Sequence, residues 1–292
     1  MAIIIRNRLK RLFPAFKAKS VGIRLYAAPR AYLGIGDAVQ FSSLPENFFR
    51  NYGQCLVDID HHWIFDHNPY VIRYDKTDHY RPELVVDLWQ DCDHLKCNMR
   101  KLPTAPAVYT SNAEANLSIM AHLFEVRPKV FLNRPRLYKF EDYPFEDRHT
   151  ILLHTTGRSN GEMPSYLIEH ILKKYGRNER YQLAQLMGPK DRPIDGIAHW
   201  IPATPWAAAE VISKALVFIG VDSGPAWIAS CYPDVRVKKV RLTRPWGVVG
   251  NWHDWIPQQC GHPQSHWDDL GLFELYNLED FDAGIFKSWR EI

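Results

Sequence analysis

The strongest constraint on this chain is a rhythm in which short apolar segments alternate with longer amphipathic ones. Strand patterns are expected at Gly22–Leu25, Gln54–Asp58, Val71–Tyr74, Leu84–Leu88, Lys129–Leu132, Thr150–His154, Tyr181–Met187, Ile197–Ile201, Leu216–Val221 and Val237–Leu242. Helical patterns are expected at Ser42–Asn51, Ala113–Leu123, Met163–Tyr175, Trp206–Lys214 and Pro225–Cys231. Strands that alternate with helices in this way build parallel sheets with crossover connections. The charged stretch Arg134–Arg148, with Pro135 and Pro144, interrupts the pattern near the middle. We therefore expect two α/β domains of similar size joined there, which a length of 292 residues accommodates. No repeat or low-complexity tract competes with that reading.

Three glycine-bearing turns follow predicted strands. In Val217-Phe-Ile-Gly-Val-Asp-Ser-Gly-Pro-Ala-Trp-Ile-Ala229, a buried strand runs into a helix start. Ser223 or Gly224 suits the cap, and Pro225 suits the first helical position. The amides of Gly224, Ala226 and Trp227 would then face out at the carboxyl edge of a sheet, where a phosphate would be stabilised; a capped helix without a ligand is the plainer alternative. The second turn, Thr155-Thr-Gly-Arg-Ser-Asn-Gly161, offers two hydroxyls and the Arg158 guanidinium, the groups a diphosphate would use. Taken alone it reads more readily as a solvated loop, because Ser, Thr, Asn and Gly mark loops whatever their function. The third, Tyr32-Leu-Gly-Ile-Gly-Asp-Ala-Val-Gln-Phe-Ser-Ser-Leu-Pro45, is neither a dinucleotide fingerprint nor a phosphate-cradling Gly-Lys-Ser/Thr loop. Its Asp37 would repel phosphate, so it reads either as a base or as the cap of the following helix.

Taken in order, Leu-Gly-Ile-Gly-Asp37, Pro82-Glu-Leu-Val-Val-Asp-Leu88, Leu153-His-Thr-Thr-Gly157, Leu186-Met-Gly-Pro-Lys-Asp191 and Gly220-Val-Asp-Ser-Gly-Pro225 span most of the chain. This set resembles the heptosyltransferases of lipopolysaccharide core synthesis and their relatives, inverting glycosyltransferases of the GT-B fold. The resemblance implies two Rossmann-like parallel-sheet domains facing across a cleft. Residues 1–140 would bind the acceptor and 141–292 the nucleotide sugar, with the final helix packing back on the N-terminal domain. It implies transfer of a heptose or hexose from a nucleotide-diphosphate donor, ADP-heptose above others, to a hydroxyl of a glycan or glycolipid such as lipopolysaccharide core.

The same resemblance carries roles residue by residue. Asp37 matches the general base, with Gly34, Gly36 and Gln40 around it on the acceptor side. Thr155 and Thr156 match phosphate contacts, and Met187 and Asp191 lie on the loop that carries the acidic ribose contact. Asp222, Ser223 and Gly224 match the phosphate-binding helix start. No metal is expected, because amides and a cation can neutralise the departing diphosphate. The chain also departs from the family: the lysine that follows the Thr-Thr pair is missing, leaving Arg158, and the histidine usual after Ser-Gly-Pro-x is Trp227. Arg244, in Leu242-Thr-Arg-Pro-Trp-Gly247, could replace or supplement the cation. A nucleotide-sugar-binding protein without transferase activity, or a hydrolase or epimerase of nucleotide sugars, are the alternatives on the same fold.

Charge narrows the partners. The chain carries 36 basic and 33 acidic residues, yet no acidic residue precedes Asp37, while Arg6, Arg8, Lys10, Arg11, Lys17, Lys19, Arg24 and Arg30 do. Without these eight, the remainder stands at −5, which argues against nucleic acid bound over the body of the fold. Ile3, Ile4, Ile5, Leu9, Leu12, Phe13 and Phe16 interleave with the basic residues. Residues 1–20 therefore read either as an amphipathic helix on anionic lipid or as an ordinary helix packed on protein. No segment is long and apolar enough to span a bilayer, no secretory signal is recognisable, and five scattered cysteines fit a reducing compartment. The expected location is cytoplasmic, at the inner face of the membrane if the arm binds lipid.

Two ligand-like clusters remain. Asp58-Ile-Asp-His-His-Trp-Ile-Phe-Asp-His67, with Asp75, Asp78 and His79 nearby, holds side chains suited to zinc or iron, although polar loop or acceptor contacts are the commoner use. Cys92, His94 and Cys97 lack a fourth ligand. Eight of the ten tryptophans lie from Trp200 onward, where they serve packing or stacking on a sugar or base.

Overall fold

The structure is a computed structural model that describes residues 20–24, 34–74, 82, 84–87, 134–144, 147–157, 161–176, 179–221, 223–241 and 274–277. The described residues divide into two compact units. The first is drawn from residues 20–24 and 40–135, the second from Gly34–Val39, 136–241 and 274–277.

The chain begins with β1 (Val21–Arg24), then α1 (Ile35–Gln40), which except for Gln40 belongs to the second unit, and returns to the first unit for α2 (Leu44–Tyr52), β2 (Leu56–Asp58), β3 (Val71–Arg73) and β4 (Leu84–Asp87). The four strands are parallel in the order β3-β2-β1-β4, with Val21 opposite both Leu56 and Leu84. α2 starts beside Pro45, carries an i,i+4 pair between Glu46 and Arg50 at 2.7 Å, and stops at Gly53. Gly53 adopts φ 70°, a left-handed conformation that an L side chain resists. Phe41, Leu44 and Phe48 are buried, as are Val21, Ile23, Leu56 and Val57. Removing each such side chain from water contributes about 1.5–3 kcal/mol.

The second unit runs β5 (Thr150–His154), a small hairpin of β6 (Thr156–Gly157) and β7 (Gly161–Glu162), α3 (Ser165–Tyr175), β8 (Gln182–Leu186), β9 (Ala198–Trp200), α4 (Pro205–Ser213), β10 (Ala215–Val221), α5 (Gly224–Ser230), β11 (Arg236–Arg241) and β12 (Glu274–Asn277). Its six-stranded sheet is parallel throughout, in the order β12-β11-β10-β5-β8-β9. α4 is capped by Thr204, whose hydroxyl accepts from Ala207 N at 3.1 Å. Ile151, Leu153, Val217, Ile219 and Val221 form a continuous core with Leu167 and Ile171 of α3. A parallel strand covered on both faces reads as an unbroken apolar run, as Ala215–Val221 does.

The observed strands lie within one or two residues of those expected, apart from Lys129–Leu132, which with the Ala113–Leu123 helix and the final helix lies outside the described residues. Three differences are informative. Residues 35–40 are already helical, so Asp37 sits inside α1 and the N-cap of α2 is Ser43. β12 is a four-residue edge strand bounded by Glu274 and Asn277, too short to show an apolar period. The stretch after Pro135 also packs rather than merely joining the units. Leu137 is buried, Tyr232 Oη donates to Lys139 O at 3.2 Å, and the Arg148 guanidinium donates to Ser213 O, Ala215 O and Tyr143 O.

Candidate active site

Parallel sheets bind ligands outside the carboxyl ends of their strands, where successive connections leave in opposite directions. In the second sheet that place lies between β5 and β10. From β5 the chain moves outward to β8 and β9, then returns to the other side of β5 for β10, β11 and β12. Gly220 pairs with His154, so the turns that begin at Thr155 and after Val221 leave the sheet side by side, about 4.8 Å apart. Sequence reasoning placed two of its three glycine-bearing turns at these strand ends, and the register brings them together.

The β10 turn ends in Ser223, the N-cap of α5. Its backbone is extended, its side chain makes no cap bond, and its Oγ is buried without a hydrogen-bond partner among the described residues. A buried hydroxyl left unpaired costs about 1–3 kcal/mol, so this atom is suited to a polar ligand. Gly224 and Pro225 are the first two helical residues, one step earlier than expected. Trp227 N donates to Ser223 O at 3.3 Å, which corrects the expectation that this amide faces outward. The outward donors are narrowed to Gly224 and Ala226, since Pro225 has none.

Gly36 of the third turn packs here, against the start of α5. A Cβ on Gly224 would meet Ile35 Cβ at 2.7 Å, and one on Gly36 would meet Trp227 Cδ1 at 2.7 Å. No real Cβ tolerates either approach, so glycine at both positions lets the first turn of α1 lie against the start of α5. Asp37, the next residue, is thereby carried in α1 toward the β10 turn. Gly34 O accepts from Ala38 N at 3.0 Å inside this helix start, and Gln40 is buried at its end. The side chains of Asp37 and Arg241, and all of Arg158, Asp222 and Arg244, lie outside the described residues.

On the β5 side Thr155 is buried, and Thr156 is half-buried in the hairpin opposite Glu162. His154 is buried with Nδ1 at 3.1 Å from Leu186 O. Burial holds its imidazole below the ordinary value, against the opposing pull of that carbonyl and of Asp191. The carbonyl can only accept, so the neutral ring carries its proton on Nδ1. After β8, Met187 is buried and its N–H donates to Trp200 O at 2.9 Å. Asp191 Oδ2 accepts from Gly188 N at 2.6 Å, closing a tight turn beside Thr155. Gln185, which sequence reasoning missed, joins these loops. A polar residue in the strand pattern Leu183–Leu186 gave no signal of its role.

The carboxyl edge of the first sheet is built differently. Arg73, at the end of β3, bridges Asp58 and Asp66. His61 Nε2 meets Tyr74 O, and His62 Nδ1 accepts from Ile64 N at 3.4 Å. Burial pushes the Asp58 carboxyl up to about 6 even with the Arg73 guanidinium against it, and pushes His62 down to about 4. Asp58, Asp66, His61 and His62 of the set that resembled ligands are thus engaged by Arg73 and by local turns. Among the described residues no group of three or more His, Cys, Asp or Glu is arranged to hold a metal ion. Asp75, Asp78, His79, Cys92, His94 and Cys97 lie outside them.

No protein-family model matches the sequence, and no curated protein matches it significantly. Solved structures do. The heptosyltransferase WaaC of E. coli, solved with ADP, is similar at 10% identity and a TM-score of 0.56, over 88% of this chain and 93% of that one. A glycosyl transferase of family 9 from Veillonella parvula is similar at 9% identity and a TM-score of 0.54, over 95% and 91%. The iron-containing dodecameric glycosyltransferase TibC of enterotoxigenic E. coli matches at 15% identity and a TM-score of 0.48, and the chain spans 58% of its length. Two parallel α/β sheets in this order are the GT-B fold, which this chain has in common with the heptosyltransferase WaaC and the family 9 glycosyl transferase.

Proposed function

We propose that the chain is an inverting glycosyltransferase that moves a sugar from a nucleotide-diphosphate donor to a hydroxyl of a glycan or glycolipid. ADP-heptose is the favoured donor, since a solved structure of the same fold holds ADP, and lipopolysaccharide core is the favoured acceptor. One observation carries this reading: the turns after β5 and β10 meet at the switch point of the second sheet, with Ile35 and Gly36, the two residues before Asp37, packed against Gly224. Hydroxyls, amides and a carboxylate-bearing helix start then surround one place.

The chemistry follows from those groups. The Asp37 carboxylate takes the proton of the acceptor hydroxyl as its oxygen attacks the anomeric carbon. The bond from that carbon to the diphosphate oxygen breaks on the opposite face, so the anomeric centre inverts. The leaving nucleoside diphosphate carries away the bonding pair, stabilised by Thr155, Thr156, Ser223 and the amides of Gly224 and Ala226. Arg158 and Arg244 supply positive charge in place of a metal ion. Asp191 bonds the ribose and Met187 packs beside the base.

Asp37→Asn tests the assignment. Transfer should fall about 10³-fold while nucleotide binding, read by thermal shift across a panel of nucleotide diphosphates and nucleotide sugars, is unchanged. Full turnover by the variant would remove Asp37 from the reaction. The packing of Trp227 where related enzymes carry histidine favours one alternative, a nucleotide-sugar-binding protein without transfer. Donor binding with no transfer to any glycan acceptor would select it.

We also propose that residues 1–20 rest on anionic lipid, at the inner face of the membrane. Among the described residues, no helix is long and apolar enough to cross a membrane. Full-length protein should co-sediment with phosphatidylglycerol vesicles, and a chain starting at Val21 should not. Equal sedimentation of the two removes the arm from membrane binding.

A further inference from the structure

Gln185 lies in β8 between the apolar Ala184 and Leu186 and is wholly buried, pairing through its backbone with Leu153 on one side and His199 on the other. A buried amide is costly unless each of its groups is bonded, and a leucine would fill the same space without that demand. The amide is well used. Its Oε1 accepts from Ile194 N at 2.8 Å, and its Nε2 donates to Arg192 O at 3.0 Å and toward Thr155 Oγ1 at 3.4 Å. The orientation is fixed by its partners, because rotating the amide would set oxygen against carbonyl and N–H against N–H.

These bonds reach two different loops. Thr155 opens the turn after β5, while Arg192 and Ile194 close the turn that starts at Met187 and is tightened by Asp191 Oδ2 on Gly188 N. Resting on the donor reading above, one loop receives the diphosphate and the other the nucleoside. We propose that Gln185 is a positioning residue that holds these two half-sites in register, so that one nucleotide can engage both at once. It touches no ligand itself. Its contribution is to the coupling between halves, because two half-sites held rigidly gain more from a joined ligand than loose ones do.

The test compares the whole nucleotide with its parts. Isothermal titration of ADP, adenosine and inorganic pyrophosphate is run on the wild-type chain and on Gln185→Met, with thermal unfolding in parallel. ADP affinity should fall about tenfold, the size of one or two lost hydrogen bonds, while adenosine and pyrophosphate change less than about twofold. A merely structural residue would weaken all three together or shift unfolding alone, and either result overturns the proposal, as does unchanged ADP binding. Should Gln185→Met not fold, Gln185→Glu retains the volume and the acceptor for Ile194 N but cannot donate to Arg192 O. The same selective loss is expected of it. Failure of the wild-type chain to bind ADP would instead overturn the donor reading, and this one with it.

Discussion

The two sheets have the same parallel construction and opposite chemistry at their carboxyl edges. In the first unit that edge is charged and self-neutralised, with Arg73 set between Asp58 and Asp66. In the second it is mainly polar among the described groups, with Thr155, Ser223, Gly224, Gln185 and a neutral His154, its Asp191 carboxylate accepts from Gly188 N, and one of its hydroxyls is buried unbonded. Charge already matched by a neighbour has little left to offer a ligand, whereas oriented dipoles in a dry setting stabilise an incoming anion. The proposed nucleotide site therefore falls to the second edge, while Asp58 and Asp66 of the acidic and histidine-rich segment are already paired with Arg73.

Substitutions can break that contrast. The largest effect is expected from Arg73→Met, which leaves the buried Asp58 carboxylate without its guanidinium. At pH 7 it should cost about 3 kcal/mol in urea unfolding. The folded carboxyl already holds its proton up to about 6, above its unfolded value of 3.8, so protonation favours the folded state. The loss should therefore shrink as pH falls through 6, with nucleotide binding at pH 7 unaffected in the folded fraction. An equal loss at pH 7 and pH 5 would remove Asp58 as its cause.

Gly36→Ala probes the other edge. Its Cβ would lie 2.7 Å from Trp227 Cδ1, and relieving that overlap should cost about 1–3 kcal/mol. Transfer should fall more steeply than stability, because Asp37 is the next residue. Loss of stability with full transfer in the folded protein would separate α1 from the site.

The smallest effect is that of His62→Gln. Burial depresses His62 to about 4, so the wild-type fold loses its contribution as pH drops from 6.5 toward 4, opposing the gain from Asp58 over much of the same range. Removing the imidazole should leave the variant gaining stability relative to the wild type across that window. Parallel pH profiles for the two proteins would show that His62 titrates normally.

How far the sequence foretold this depends on what each feature leaves in its local pattern. Apolar runs such as Leu216–Val221 declare buried parallel strands, because both faces are covered, and turns that follow them are drawn to the sheet edge by topology. α1 was hidden, since six residues that include Gly36 lack a full amphipathic period, and only the partner at Trp227 explains the glycine. Asp58 and His62 looked like metal ligands because their spacing says nothing of Arg73, which lies 15 residues beyond Asp58 and arrives by strand pairing. Gln185 left no trace at all, its meaning resting on bonds to residues 7, 9 and 30 positions away.

The Arg148 guanidinium, which ties the end of α4 and the start of β10 to Tyr143, bears on how this protein can be divided. A fragment starting at Thr150, where the first strand of the second sheet begins, would leave three carbonyls without their donor and uncover Leu137's site. Starting at Arg136 keeps that rivet, yet Gly224 would still lose Ile35, because the turn that covers it is encoded about a hundred residues earlier in the gene. Expression of the second domain alone thus calls for residues 34–39 to be grafted back, and a circularly permuted chain is the natural way to supply them.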